Sequence, residues 1–362
     1  FRKGLRDSEL LLSFELGKKE SYLWAVGRSS LRLYRLAGEQ EIAKAVETFR
    51  EAFPAGGAET ARRGRELYRL LFGQLNPREL EKPAWLLSLD GALFDIPFAA
   101  LVTEQRGGNT EYLVERHSLQ TVPGALLLSA SADPELQGGH GRGEFLGVGD
   151  PIYNQADPRW LKPVSGQRSA GQLQRLVGSG DEIEASAGTW AAGGGTALLL
   201  KGPQALREDF LRSMDARPAV IHLATHVLFP SANREQALIA FGMGAAGIEP
   251  EFLTTSEVAR LRAPGALVVM TGCAANAGET RAGAGLLGLT RAWLMAGASS
   301  VISSAWPVED NSGAMFAHFY FYLRDHSAAE ALRLSQREVA HSRTGRDAPA
   351  SWASYQVTGG TH

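Results

Sequence analysis

Residues 220–226, VIHLATH, and residues 268–273, VVMTGC, are the two stretches that decide the fold. Each is a short apolar run that leads into a polar loop, which is typical of a strand buried in a parallel sheet. In open α/β sheets the functional groups lie at the carboxyl ends of the strands. His226 ends the first run and Cys273 ends the second, so we expect both side chains at that edge of the sheet.

The same alternation of short apolar strands and helices extends through the second half of the chain. The predicted strands are residues 145–149, 197–200, 219–224, 266–270 and 301–304. The predicted helices are residues 181–191, 203–214, 254–262, 284–296 and 310–324. This order predicts an α/β fold with a mostly parallel sheet flanked by helices on both faces.

The first half has a different pattern, and it predicts a second α/β region that begins with a β meander. Three alternating or apolar runs occupy residues 10–36, followed by two amphipathic helices at 39–53 and 58–73. A strand at 85–89, strands near 112–122 and a helix at 124–131 complete this half. The Gly-rich stretch 132–144 is typical of a linker, so we predict two domains, residues 1–140 and 141–362. Two domains also agree with the length of 362 residues.

Composition excludes several classes of protein. The net charge is −2, which lacks the basic excess of a nucleic-acid binder. The sequence contains no run of ~18 apolar residues, so it predicts no membrane span. Its charged start is unlike a signal peptide, and we therefore expect a cytoplasmic protein. The missing initiator Met indicates a fragment of a longer protein. With one cysteine there is no internal disulfide and no multi-cysteine zinc site, so Cys273 serves either packing or chemistry.

His226 and Cys273 together predict a catalytic dyad. They are 47 residues apart (273 − 226), enough for one crossover between neighbouring parallel strands. A cysteine has a free pKa of ~8.5 and needs a nearby base to become a thiolate, which a histidine on the next strand end provides. The alternative is that Cys273 is a small buried residue and His226 an ordinary one. His222, inside its strand on the same face as His226, is interpreted as a core residue.

Several motifs, in order along the chain, resemble the CHAT peptidase domain of the caspase–separase–gingipain clan of cysteine peptidases. In the second half they are GVGDP at 147–151, HLATH at 222–226, GC at 272–273, GLLGL at 285–289, AGA at 296–298, WPVED at 306–310, a helix with EAL at 330–332 and a closing strand at 352–353. In the first half they are DGAL at 90–93 and IPF at 96–98. The resemblance covers most of the chain.

The resemblance implies a caspase-like fold and a regulated cysteine endopeptidase. Cys273 would attack the scissile carbonyl, His226 would transfer the protons, and backbone N–H groups of Val227, Gly272 and Cys273 would hold the oxyanion. Val227 departs from the family, which usually has glycine after this histidine. The first half would be a catalytically silent, pseudo-caspase-like companion. An upstream helical-repeat (TPR-like) region or a separate activator would regulate the enzyme, and the alternative is an inactive module for protein–protein interaction.

The predicted substrate is a protein or peptide, and its binding residues are Asp310, Asp150 and Trp306. Residues 306–310 resemble the separase segment whose aspartate holds an arginine side chain, which predicts cleavage after a basic residue. The alternative for Asp310 is the N-cap of the following helix.

A second motif, G-x-G-x-x-G at Gly283, Gly285 and Gly288, is rejected as a dinucleotide site because a loop separates it from the preceding strand. We therefore predict neither a cofactor nor a metal. The small, polar loop 274–283 is a candidate gate, or a solvated surface loop.

Overall fold

The computed structural model describes residues 2–106, 109–122, 143–161, 173–229, 237–244, 249–272, 282–304, 313–342 and 348–360. It confirms the predicted fold class, a mixed α/β protein with mostly parallel sheet structure flanked by helices. None of the helices in these ranges combines the length and the apolar character needed to cross a bilayer.

The strands of the described residues fall into an earlier and a later group along the chain. The first seven are β1 (Glu9–Glu15), β2 (Glu20–Val26), β3 (Leu31–Ala37), β4 (Ala84–Ser88), β5 (Val102–Arg106), β6 (Asn109–Tyr112) and β7 (Ser118–Thr121). The others are β8 (Glu144–Gly149), β9 (Thr196–Lys201), β10 (Val220–Ala224), β11 (Val227–Leu228), β12 (Leu238–Met243), β13 (Pro250–Thr254), β14 (Leu267–Met270), β15 (Ser300–Ser304) and β16 (Tyr355–Gly359).

The helices of the same ranges separate these strands. They are α1 (Glu39–Ala52), α2 (Gly57–Phe72), α3 (Pro77–Leu80), α4 (Leu113–Arg116), α5 (Val177–Ala192), α6 (Arg207–Ser213), α7 (Thr255–Val258), α8 (Ala282–Met295), α9 (Gly313–Tyr322) and α10 (Ala328–His341). Amphipathic spacing explains α1, in which the buried Ile42, Val46 and Phe49 recur at helical intervals on one face.

The chain divides into two compact units. The first unit comprises Phe1–Asp133 and His326–His362, and the second comprises Pro134–Asp325. The predicted boundary at 140 lies outside the described residues. The predicted domain 141–362 differs from this division at its C-terminal end, because β16 pairs in parallel with β7 and thereby joins the first unit.

In the first unit the strand order is β3-β2-β1-β4-β7-β16. β1, β2 and β3 form the predicted antiparallel meander, and β1-β4, β4-β7 and β7-β16 are parallel. Two predictions in this unit were inaccurate. The helical turn α4 interrupts the stretch predicted as strands near 112–122, and the closing strand begins at Tyr355 rather than Trp352. The predicted helix at 124–131 lies outside the described residues.

In the second unit the strand order is β15-β14-β10-β8-β9, and all neighbours are parallel. Alternate residues of β10 face opposite sides: Ile221 and Leu223 belong to a core that includes Phe210 of α6 and Trp293 of α8. His222 faces the other side, where Tyr320 of α9 contacts it. A small antiparallel sheet, β11-β12-β13, was not predicted.

Candidate active site

The carboxyl ends of β10 and β14 meet through a glycine contact. The N–H of Thr271, just past β14, donates to the carbonyl oxygen of Leu223 in β10 (3.1 Å). At Gly272 a Cβ atom would lie 1.4 Å from the carbonyl oxygen of Thr225, far inside any permitted contact. Only glycine allows the two backbones to approach this closely. Thr225 precedes His226 and Gly272 precedes Cys273, so this contact lies next to both predicted dyad positions.

His226 is buried, with 5% of its surface exposed, and its ring is held from two sides. Its Nε2 lies 2.7 Å from the carbonyl oxygen of Gln174, and its ring centroid lies 5.0 Å from that of Tyr153. The Tyr153 hydroxyl accepts a hydrogen bond from the His226 backbone N–H (3.3 Å). A carbonyl oxygen only accepts, so Nε2 carries the hydrogen and the neutral ring has its lone pair on Nδ1. The contact with Gln174 thus leaves Nδ1 as the acceptor nitrogen of a neutral His226 ring.

Val227 lies at the start of β11 in extended backbone. The N–H of Ala240 donates to the carbonyl oxygen of His226 (2.9 Å), and the next pair along is Val227 with Ile239. Hydrogen-bonded and non-hydrogen-bonded pairs alternate in antiparallel sheets, so Val227 directs its N–H away from β12. Among the described residues, the positive-φ positions other than glycine are Asp150 and Arg217. Val227 thus presents an outward N–H without the left-handed backbone that β-branched residues resist.

Asp150 follows β8, as predicted, but its carboxylate is already paired within the chain. It is 2% exposed, and both Arg159 (Nη1 to Oδ2, 2.6 Å) and Arg175 (Nη2 to Oδ2, 2.7 Å) bind it. Arg159 also binds Asp157 at 2.6 Å, and its hydrogen bonds hold the pKa of the Asp157 carboxyl below its usual value. Two carboxylates therefore face two guanidinium groups. Internal charge pairing, rather than an open acidic pocket, is the arrangement around Asp150.

The remaining predicted site residues, Cys273, Trp306 and Asp310, lie outside the described residues. So does most of the candidate gate, the loop 274–283. The three glycines of the rejected dinucleotide motif lie within α8. Within the described ranges, no cluster of three or more His, Cys, Asp or Glu side chains has the arrangement of a metal site.

Sequence reasoning missed the residues that hold these positions. Gln174 contacts His226 through its backbone, which no side-chain pattern reveals. Glu182 hydrogen-bonds His222, and the sequence could have predicted that Glu182 is buried. Glu182 lies four and eight residues before Ser186 and Trp190, so helical spacing places it on the same buried face of α5.

The fold defines the class of protein, and sequence similarity defines the family. The fold is of the caspase-like α/β class, with a histidine at the carboxyl end of a central parallel strand. The sequence model of the CHAT domain matches residues 61–360, and the chain belongs to the CHAT domain family. The resemblance inferred from the motifs is thereby confirmed.

Two curated relatives and two solved structures are similar to the chain. The Tetratricopeptide repeat protein 28 of Homo sapiens and that of Mus musculus are each 26% identical over 314 residues, covering 76% of this chain and 12% of the relative. The chain thus spans about one eighth of the length of these relatives. The Saccharomyces cerevisiae separase in its complex with securin has a TM-score of 0.58 at 10% identity, over 99% of this chain and 30% of that chain. The Arg-specific cysteine proteinase gingipain R has a TM-score of 0.41 at 9% identity, over 89% of this chain and 74% of that chain.

Proposed function

We propose that the protein is a regulated cysteine endopeptidase with His226 and Cys273 as its catalytic dyad. One observation carries the proposal. β10 and β14 pair with Val220 opposite Leu267, an offset of 47 residues (267 − 220), and the same 47 residues separate His226 from Cys273. If the pairing register continues past the strand ends, each proposed catalytic residue lies opposite the other. The backbone contact between Thr225 and Gly272 supports that continuation.

The orientation of His226 suits the chemistry of this dyad. Nδ1 takes the proton of the Cys273 thiol, and the thiolate attacks the scissile carbonyl carbon. Backbone N–H groups of Val227, Gly272 and Cys273 stabilise the oxyanion that forms. The imidazolium then gives its proton to the leaving amine as the C–N bond breaks. A water molecule, deprotonated by His226, hydrolyses the resulting thioester and regenerates the thiol.

Cleavage of a peptide mixture, read by mass spectrometry, tests this function. We expect wild-type protein to cleave peptides and both Cys273→Ala and His226→Asn to lose at least about a thousandfold in kcat/KM, as removal of a dyad member does in similar enzymes. His318→Asn, a histidine exposed on α9, is the matched control and should retain activity. No difference between wild type and Cys273→Ala in cleaving the peptides, even with candidate activators such as helical-repeat proteins present, would contradict the proposal.

Specificity for a basic residue is a separate part of the proposal and depends on Asp310. Since Asp150 already pairs with two arginines, a substrate guanidinium would depend on another carboxylate. We expect Asp310→Ala to lower kcat/KM for arginine-ending peptides by about tenfold to a hundredfold, an amount typical of a charge-assisted pair. Leucine-ending peptides should change little. Asp325→Ala, at an exposed position of the same unit, serves as the control, and unchanged selectivity in Asp310→Ala would remove the pocket role.

A second candidate function is a non-catalytic module for protein–protein interaction. One observation favours it: the carboxylate of Asp150, a predicted substrate-binding residue, is already paired with two arginines of the chain. The similar proteins include tetratricopeptide repeat proteins far longer than this chain, which supports a helical-repeat region as regulator or partner under either function. Peptide cleavage by wild type but not by Cys273→Ala distinguishes the peptidase from the interaction module.

A further inference from the structure

Four buried side chains of the second unit form a polar cluster beneath the ends of β10 and β14. Glu182 of α5, His222 of β10, Thr271 just past β14 and Tyr320 of α9 are each at most 6% exposed. Nε2 of His222 lies 2.9 Å from Oε1 of Glu182 and 3.3 Å from the Thr271 hydroxyl. The Thr271 hydroxyl donates to the same Oε1, and the Tyr320 hydroxyl lies 3.2 Å from Nδ1 of His222. We refer to these residues as the Glu182 cluster.

One assignment of hydrogens accounts for the contacts of Glu182 with His222 and Thr271 and for that of Tyr320 with His222. The carboxylate of Glu182 only accepts, so His222 donates to it through Nε2–H and Thr271 donates through its hydroxyl. Nδ1 of His222 is then an acceptor, and Tyr320 donates to it. Burial raises the pKa of the Tyr320 hydroxyl well above its ordinary value, which keeps this donor protonated. In this assignment Tyr320 donates to His222, and both His222 and Thr271 donate to Glu182.

The position of the Glu182 cluster links it to the proposed dyad. Thr271 lies two residues before Cys273, and His222, within β10, lies four residues before His226, which follows the strand. The cluster links the helices α5 and α9 to β10 and to the end of β14, a few residues before each dyad position. Replacing a buried network of charged and polar groups with apolar side chains of similar volume is often neutral for stability, because desolvation of the network is costly. Stability alone does not explain the cluster.

We propose that Glu182 and Thr271 are positioning residues that set the geometry of the His226–Cys273 pair. This inference rests on the proposed function. Glu182 fixes Thr271, whose backbone leads into Gly272 and Cys273, and it fixes His222 in the strand that presents His226. A displacement of about 1 Å between reacting groups reduces an enzymatic rate about a hundredfold, so a cluster that fixes both strand ends acts on the rate more than on substrate binding.

The single cysteine of the chain allows a test that needs no substrate. The rate of alkylation by iodoacetamide, followed against pH, reports the thiolate fraction of Cys273 alone. In wild type we expect the midpoint of the alkylation rate against pH to lie below the pKa of ~8.5 of a free thiol. The His226→Asn substitution should move this midpoint upward. Thr271→Val keeps the volume and changes no charge, and we expect it to raise the midpoint by about one pH unit towards the free value. It should also lower kcat by about tenfold to a hundredfold with KM nearly unchanged.

Matched variants separate positioning from a general effect of a buried substitution. Thr271→Ser restores the hydroxyl and Glu182→Gln retains an acceptor oxygen at Oε1, so both should return the midpoint and kcat towards wild type. Thr290→Val replaces another buried threonine of the same unit, on α8 and outside the cluster, and should leave the midpoint unchanged. Circular dichroism establishes that each variant is folded; if Thr271→Val is not, Glu182→Leu gives the same comparison.

The outcomes distinguish this inference from the proposed function. A wild-type midpoint near ~8.5 that His226→Asn does not move would overturn the dyad and the inference together. A lowered midpoint that depends on His226 but is unaffected by Thr271→Val would leave the dyad standing and overturn the positioning role. A shift equal to that caused by Thr290→Val would also overturn it.

Discussion

Gly272→Ala is expected to destabilise the second unit by about 3 kcal/mol or more, because the new methyl group has no space. Its Cβ would lie 1.4 Å from the carbonyl oxygen of Thr225 and 2.4 Å from the carbonyl carbon. Both atoms belong to backbone, so no side-chain rotation relieves the overlap. The strand ends must separate instead, which would break the hydrogen bond from Thr271 to Leu223. Urea denaturation followed by circular dichroism measures the loss.

Gly188→Ala is the matched control for this substitution. Gly188 lies in α5 of the same unit, and a Cβ there would meet no atom within 4 Å. Alanine is favoured over glycine in helices by about 1 kcal/mol, so this variant should be equally or more stable than wild type. A Gly272→Ala protein as stable as Gly188→Ala would show that the backbones of β10 and β14 do not meet as described.

Because of His117, the free energy of unfolding of the first unit is expected to fall by about 3 kcal/mol as the pH is lowered from 6.5 to 4. Its side chain is 2% exposed, stacks on Trp85 with ring centroids 4.0 Å apart, and contacts the Lys82 carbonyl oxygen through Nδ1 at 2.8 Å. Burial lowers its pKa from 6.5 to about 4. In that window the unfolded chain binds a proton that the folded unit excludes. The contribution is therefore complete above pH 6.5 and falls as the pH drops towards 4.

His117→Gln isolates this effect from the carboxylates that titrate nearby. Glutamine retains an N–H donor for Lys82 but binds no proton in this range, so the variant's stability should fall less steeply between pH 6.5 and pH 4. His341→Gln replaces an exposed histidine of the same unit and should keep the wild-type slope. The free energy of unfolding at several pH values gives both slopes. Equal slopes for wild type and His117→Gln would contradict the assignment of the pH effect to burial.

Much of the fold was predictable because its strands are unusually apolar. β10 and β14 are buried at every residue. Apolar runs of this kind lack the alternation of a strand with one solvent-exposed face, so they predict strands covered on both faces of a parallel sheet. The β meander was predictable because turn residues separate its three short runs. β3 itself alternates only at its start, and its Leu31 and Leu33 are 53% and 47% exposed. By contrast, β11 has two residues, and a pattern of period two is not recognisable at that length. Its pairing with β12 depends on tertiary contacts.

The site was predictable where it depends on residue type at a strand end, and unpredictable where it depends on partners. The position of His226 was predictable because it follows an apolar run, and the structure places it just past β10. The two arginines on Asp150 come from positions 9 and 25 residues further along the chain, and no spacing rule connects them. The hydrogen bond from His226 to Gln174 uses a backbone oxygen that every residue possesses. Long-range pairing and backbone acceptors are set by the fold.

The grouping of β16 with the first unit has a consequence for biosynthesis. The second unit is an insertion in the sequence of the first, since residues 326–362 return to complete what residues 1–133 begin. During translation the second unit has all of its strands once residue 325 has emerged. The first unit must hold β7 without its partner β16 until the ribosome has also delivered residues 355–359. An exposed strand edge is prone to pairing with other chains, so the edge of β7 is open to mispairing during the interval between these two events.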